Sequence, residues 1–353
     1  MSGRVYEDDY DDDYDDAPRR ASFWSRFTAI ASWFVTLLAV GLGAVFLLII
    51  DTQRPGPPAP AGGAETTIVV PRGVGIAAIG QHLQAEGVIR NGMAFRAAVM
   101  IYGRGRSLKA GEYTIPSGAS SASIIEKIAA GRVVLHPVTA PEGWTSAMIV
   151  DMLATADFLD GDTPAPPPEG SLLPETYRVE RGMERADVIR EMQQASRETL
   201  DQLWNTRAAN LPFKTPREAL ILASIVEKET GLDSERPHVA AVFVNRLRKG
   251  MRLESDPTVI YGVSKGRPLG RGLLRSELDH DTPYNTYTRY GLPPTPIANP
   301  GRAAIAAVLN PMKSADLYFV ADGSGGHAFA STIGEHQKNV ERWRSLERLR
   351  GTQ

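Results

Sequence analysis

Apolar and polar positions fall into blocks that divide the chain. Residues 1–20 are polar and carry an acidic run from Glu7 to Asp16. Like charges at that density cannot pack, which predicts a disordered acidic tail over 1–26. Residues 27–50 contain no charge at all. At about 1.5 Å per residue such a helix crosses a hydrocarbon core of roughly 30 Å. The run is too long for a cleaved leader, and no clean small-residue cleavage site follows it. A single membrane-spanning helix is expected, with Trp24 and Trp33 near its start as interfacial aromatics. Arg19, Arg20 and Arg26 precede it, while Asp51 and Arg54 follow, so the amino terminus is expected on the cytoplasmic side. Residues 51–65 are rich in Pro, Gly and Ala and predict an extended, semi-rigid spacer.

A small block, 66–139, has shorter periods. Residues 67–70 and 111–115 read as strands. Residues 76–85 and 93–101 read as helices stopped by Gly87 and Gly103. Ser123 and Glu126 form a capping-box pattern opening a helix that Gly131 ends, and 133–138 reads as a closing strand. A strand, two short helices and a strand resemble the LysM-like module of cell-wall proteins. A generic α+β spacer has the same pattern, which does not separate the two.

The block 140–350 is mainly helical. A Pro-rich loop covers 164–168, and helical patterns run over 186–205 and 235–249. Between them lies the most informative stretch. Thr215, Pro216 and Glu218 spell an N-terminal capping box with Pro in the first turn. Residues 219–226 are then uncharged and, apart from Ser224, apolar, so this helix is expected to be buried on every side. It ends in Glu227, Lys228 and Glu229. A carboxylate leaving a buried helix is either a solvated helix end or an acid with a raised pKa. Residues 317–321 and 327–330 flank a Gly-Ser-Gly-Gly turn and read as a β-hairpin, and 335–349 as a charged surface helix. The expected fold class is α+β: one transmembrane helix, a small LysM-like α+β module, and a mainly helical domain with a small hairpin.

Composition narrows the chemistry. A net charge of −2 over 353 residues gives no electrostatic case for a nucleic-acid partner. Cysteine is absent, which removes disulfides and thiolate chemistry. The six histidines show no metal-ligand spacing, and no metal or cofactor is expected.

Several segments together resemble the MltG/YceG endolytic murein transglycosylases: Ala223 to Thr230, Ser255 to Gly262, Tyr284 to Tyr287, Gly291 to Pro294, and Tyr318 to Gly323. The match covers about 66–350. The resemblance implies lytic cleavage of peptidoglycan strands beside the synthases that make them, at the bacterial inner membrane with the catalytic domain outside the cytoplasm. It also implies a single catalytic acid, because the sugar's own 6-hydroxyl replaces the nucleophile that ordinary glycosidases require. The family's catalytic glutamate maps onto Glu227. Glu229 points some 200° away on the helix and has apolar residues behind it too, so burial alone does not choose between them. Glu229 is expected to hold an Arg or a backbone amide.

Weaker candidates for substrate contact are Glu175, Asp256, Tyr284, Asn285 and Tyr287. Aromatic faces and amides suit sugar rings and N-acetyl groups. The competing readings are a salt bridge for Glu175, a helix cap for Asp256, and a loop pinned by its own hydrogen bonds for the other three. His327 reads as a hairpin residue. Two rival functions remain: a non-catalytic wall-binding scaffold, for which Glu227 has no use, and a pyridoxal-phosphate lyase, for which Lys228 lacks an associated phosphate-binding glycine loop.

Overall fold

The computed structural model describes residues 23–59, 62–105 and 107–350. The acidic tail expected at the amino terminus, with Arg19 and Arg20, lies outside them up to residue 22. The chain divides into two compact units, Met1–Arg132 and Val133–Gln353. The whole is mixed α+β, and every sheet among the described residues has two strands.

In the first unit, α1 (Phe23–Gln53) is long and apolar enough to cross a membrane, and its apolar side chains are exposed from Phe27 to Leu47. Its last turn packs on the unit: Thr52 is buried, and its hydroxyl shares a 2.8 Å hydrogen bond with that of Tyr102. The chain then forms β1 (Glu65–Val70), α2 (Ile76–Ala85), α3 (Gly92–Ile101), β2 (Gly111–Pro116) and α4 (Ser121–Ala130). β1 and β2 pair antiparallel, Glu65 opposite Pro116 and Val70 opposite Gly111. A Cβ on Gly80 would stand 2.7 Å from the Gly92 carbonyl oxygen, so the α2–α3 crossing requires glycine there.

Two expectations need revision. The cap of α4 is Ser120, whose hydroxyl accepts from the Ser123 amide at 3.2 Å; Ser123 is already helical. Part of the expected spacer is bonded down. The Gly56 amide donates to the Gly118 carbonyl, the Gly118 amide to Pro57, and the Ala59 amide to the Ser117 hydroxyl. Extended Pro-rich chain turns its remaining polar groups sideways, where a neighbouring loop can satisfy them.

The second unit opens with β3 (Leu135–Thr139), which pairs antiparallel with β5 (Thr176–Glu180). The segment read as closing the small module thus belongs with the larger unit. α5 (Ser146–Ala154) is capped by the Thr145 hydroxyl, and β4 (Leu159–Asp160) runs parallel to β6 (Met183–Glu184). α6 (Arg185–Asn205) covers these through Val188, Ile189 and Met192, which join Ile149, Leu153, Tyr177 and Val179 in one apolar cluster.

The main core forms around α7 (Pro216–Glu229), packed against α8 (Arg236–Arg248) and α11 (Arg302–Leu309). The capping box at its start is present in both directions, and such a cap contributes about 1 kcal/mol. Ala219, Ala223, Ala240, Ala304 and Ala307 let the three helices approach closely while Leu222, Ile225, Val226, Phe243 and Ile305 fill the space between them. α9 (Asp256–Ser264) and α10 (Arg275–Asp279) follow on the outside of this core. Ser255, not Asp256, occupies the cap position of α9, because Pro257 sets the helical φ one residue after Asp256 has entered the first turn. The hairpin β7 (Tyr318–Ala321) and β8 (His327–Ala330) precedes α12 (Ile333–Arg350).

Asn299 fastens the loops of this unit together. It is fully buried, and its amide oxygen accepts from Leu172 N–H at 3.0 Å. Its amide nitrogen donates to the Trp144 carbonyl and the Ser146 hydroxyl, while its backbone exchanges bonds with Gly143 and Trp144. Replacing it strands a buried donor and acceptors at once. Asn299→Ala is expected to cost about 2–4 kcal/mol of unfolding free energy. Denaturant titration checks this, and a change under about 0.5 kcal/mol would contradict the role.

Candidate active site

Burial of α7 on all sides decides where its last turn emerges. Glu227 leaves the core with its side chain 4% exposed. Its Oε2 accepts the Gly301 amide at 2.8 Å, and its Oε1 lies 3.6 Å from Arg236 Nη2. Arg236 is itself buried and sits in the first turn of α8; its Nη1 reaches Asp233 at 2.6 Å and its Nη2 reaches Glu142 at 3.7 Å. One guanidinium therefore holds three carboxyl groups. Desolvation raises the pKa of Glu227 and the negative charge of Glu142 adds to it; the Gly301 amide, Arg236 and Lys228 work against them, and burial prevails. Such a group keeps its proton at pH values where an exposed glutamate has lost it. It can deliver that proton, and the resulting carboxylate finds an amide and a guanidinium in place.

A Cβ on Gly301 would fall 1.8 Å from Glu142 Oε1, so a side chain there would displace the Glu142 carboxylate. Lys228 donates to the Gly143 carbonyl at 3.2 Å. Gly143 is packed close under the acid, its Cβ direction 3.6 Å from Glu227 Cγ. It also lines a groove of about 410 Å³ that includes Trp144, Lys228, Ile260 and Tyr261.

Glu229 has separate partners. Its Oε1 accepts the Ser255 hydroxyl at 2.5 Å, which replaces the arginine or backbone amide expected from the sequence. Ser255 is buried and fixed by Thr286, so its hydroxyl is the donor that reaches the acid first. Burial pushes Glu229 up to about 7, against the Ser255 hydrogen bond, with the neighbouring Asp256 adding to the rise.

The remaining sequence candidates divide unevenly. Asp256 and Tyr287 stand beside Glu229, joined by a 2.7 Å bond from the Tyr287 hydroxyl to Asp256. Asn285 is fully buried and donates to the Leu278 and His280 carbonyls while accepting from the Tyr287 amide, so its amide group pins its own loop. Tyr284 bonds Thr295 and packs at 4.9 Å on Tyr261, a groove residue. Glu175 is exposed at the edge of β5, and its carbonyl accepts the Ala140 amide. His327 bonds Glu235 within the hairpin region at 2.7 Å.

Glu142, Arg236, Asn299 and Gly301 were not found by sequence reasoning. Glu142 had a signal, an acid in a Pro-Glu-Gly turn after a strand. Arg236 had only local spacing from Asp233, and nothing near Asn299 or Gly301 in sequence points to α7.

These parts place one desolvated carboxyl, met by an amide and a guanidinium, beside a groove on a helical scaffold. The chain belongs to the YceG-like family, whose model matches residues 68–342. It is 29% identical over 308 residues to an endolytic murein transglycosylase of Bacillus subtilis (strain 168), covering 78% of this chain and 84% of the relative. It is also 29% identical over 323 residues to one of Streptococcus pneumoniae serotype 2 (strain D39), spanning 57% of that longer protein. A crystal structure of a YceG-like protein from Listeria monocytogenes is 31% identical, covers 78% of this chain and 98% of its own, and superposes with a TM-score of 0.46.

The proton held by Glu229 has a stability consequence. In the folded state it leaves near pH 7, in the unfolded chain near 4.5. Stability is therefore fully present below the lower value and falls as pH rises through the upper one. The loss by pH 8 is on the order of 2–3 kcal/mol relative to Glu229→Gln, which has no proton to lose. Unfolding free energies of both proteins at pH 4.5 and pH 8 measure it; parallel pH profiles would remove the assignment.

Proposed function

We propose that this chain is a peptidoglycan lytic transglycosylase, cutting the MurNAc–GlcNAc bond within strands to leave 1,6-anhydro-MurNAc ends. The observation that carries the reading is Glu227: a desolvated carboxyl, held by one amide and one guanidinium, beside a groove containing Trp144 and Tyr261. The names of the bacillary and pneumococcal relatives support it. Glu227 donates its proton to the leaving glycosidic oxygen as the C1–O bond breaks. The carboxylate so formed takes the proton of the muramoyl 6-hydroxyl as O6 bonds to C1, and the site returns to its starting state. No water is consumed.

In this reading α1 anchors the chain in the cytoplasmic membrane with the catalytic unit outside, and cleavage of new strands near the synthases terminates their elongation. A phosphatase fused after residue 350 is expected to be active; a well-expressed, inactive fusion would reverse the orientation. The strand–helix–helix–strand order of the small unit supports a LysM-like role in holding glycan.

A second reading has a specific observation behind it. Glu142 shares Arg236 with Glu227, and a hydrolase would need such a second carboxylate. One pair of variants separates the two. Glu227→Gln is expected to lower the rate at least 10²- to 10⁴-fold, since one residue serves both proton transfers. Glu142→Gln is expected to keep activity but move its alkaline limb to lower pH, because removing a negative neighbour lets Glu227 ionise sooner. Loss of turnover in Glu142→Gln, with solvent oxygen in a reducing product end, would establish a hydrolase instead. Full activity in Glu227→Gln would falsify the acid–base assignment.

A further inference from the structure

The groove beside Glu227, walled in part by Gly143, has an uneven lining. One wall is aromatic and aliphatic: Trp144 is half-buried, with Pro257, Ile260 and Leu269 around it. Its charged lining is wholly cationic, consisting of Lys228, Arg267 and Arg271, in a chain whose net charge is −2. Arg271 is neutralised by a two-pronged pair with Glu277. Arg267 is not held in that way. Its contact with Asp151 is 3.5 Å long and both side chains are about two-thirds exposed, so solvent screens it. Lys228 makes one bond, to the Gly143 carbonyl, leaving two ammonium hydrogens for another acceptor. Lys228 and Glu227 both pack on Gly143, whose Cβ direction lies 3.3 Å from Lys228 Cδ and 3.6 Å from Glu227 Cγ, so a group held by Lys228 lies near the acid.

An uncharged oligosaccharide has no use for two such cations beside an aromatic wall. We infer that this groove takes a carboxylate-bearing saccharide unit, a sugar face against Trp144 and the carboxylate between Lys228 and Arg267. The inference rests on the peptidoglycan reading above and deepens it. Peptidoglycan offers that carboxylate from two sources: the peptide attached to the muramoyl lactyl group, and the lactyl group itself once the peptide is removed. Lys228 adjoins Glu227, so in this reading binding there helps to set which bond is presented to the acid.

The test measures binding of three soluble ligands of matched length to the full chain in detergent: peptide-bearing strands, strands stripped of peptide by an amidase, and neutral chitin oligomers. The readout is the ratio of affinities, anionic over neutral, in the wild type, in Arg267→Glu with Lys228→Gln, and in Arg267→Lys. The wild type is expected to favour peptide-bearing strands by about tenfold or more, a difference of about 1.4 kcal/mol. The double variant should bring that ratio to about one, and Arg267→Lys should retain most of it. Stripped strands that keep the advantage assign the lactyl carboxylate, and those that lose it assign the peptide; both support the groove. A ratio that the double variant leaves unchanged, or a wild type with no preference, overturns the inference. Arg267 is exposed, so its replacement leaves the core intact. Anhydro ends are scored in parallel: their absence in the wild type counts against the proposed activity, whereas the affinity ratio reports on the groove by itself.

Discussion

Desolvation of acids at the end of an all-round buried helix is the constraint on which this structure turns. A surface helix gives its terminal carboxylates to water. α7 cannot, because α8 and α11 enclose it through its last apolar residue, Val226. Two glutamates emerge within three residues of that point, and each must find its partners inside the protein or keep its proton. The two outcomes differ. Glu227 meets a backbone amide and a guanidinium, while Glu229 meets a serine hydroxyl.

Those partners have value only if they are held still. The Gly301 amide is fixed by a loop that Asn299 ties to Trp144, Ser146 and Leu172. Arg236 is fixed by its position at the start of α8, whose small and aromatic residues interlock with α7. The site is therefore built from the core packing outward. A displacement of either loop changes the distance at which an amide or a guanidinium sees the acid, and with it the proton affinity.

Much of the scaffold was legible in the sequence, for local reasons. The capping box at Thr215, the apolar run after it, the glycine stops of α2 and α4, and the turn between β7 and β8 are each written in adjacent residues. The partners of α7 were not, because they come from residues some 74 and 85 positions away, met only through tertiary packing. β3 was read as a strand, but its pairing with β5 was invisible, since strand pattern carries no address for its partner. The site candidates show the same division. Glu227 and Glu229 were both marked by their context at the helix exit, and only the family resemblance chose Glu227. Asn285 was marked by residue type alone, and its buried amide proves to hold its own loop. Asp256 and Tyr287, weighed as substrate contacts against a helix cap and a pinned loop, stand beside the second glutamate.

The charge inventory around Arg236 sets the two acids apart. Arg236 and Lys228 face Glu142 and Asp233, two cations against two anions, before Glu227 is counted. A protonated Glu227 leaves that group neutral. An ionised Glu227 adds one negative charge, which the Gly301 amide and the guanidinium offset in part. Burial outweighs that offset and holds Glu227 above the ordinary carboxylate range. Glu229 is placed differently. Its direct donor is a neutral hydroxyl, and the exposed Asp256 beside it opposes its ionisation while His327 and Arg246 favour it; burial outweighs them all. It also sits under Ser255 and the α9 start, whereas Glu227 packs on Gly143 at the wall of the groove. Glu227 therefore differs from Glu229 in its partners as well as its place: an amide and a guanidinium meet its carboxyl, and it packs on a residue that lines the groove.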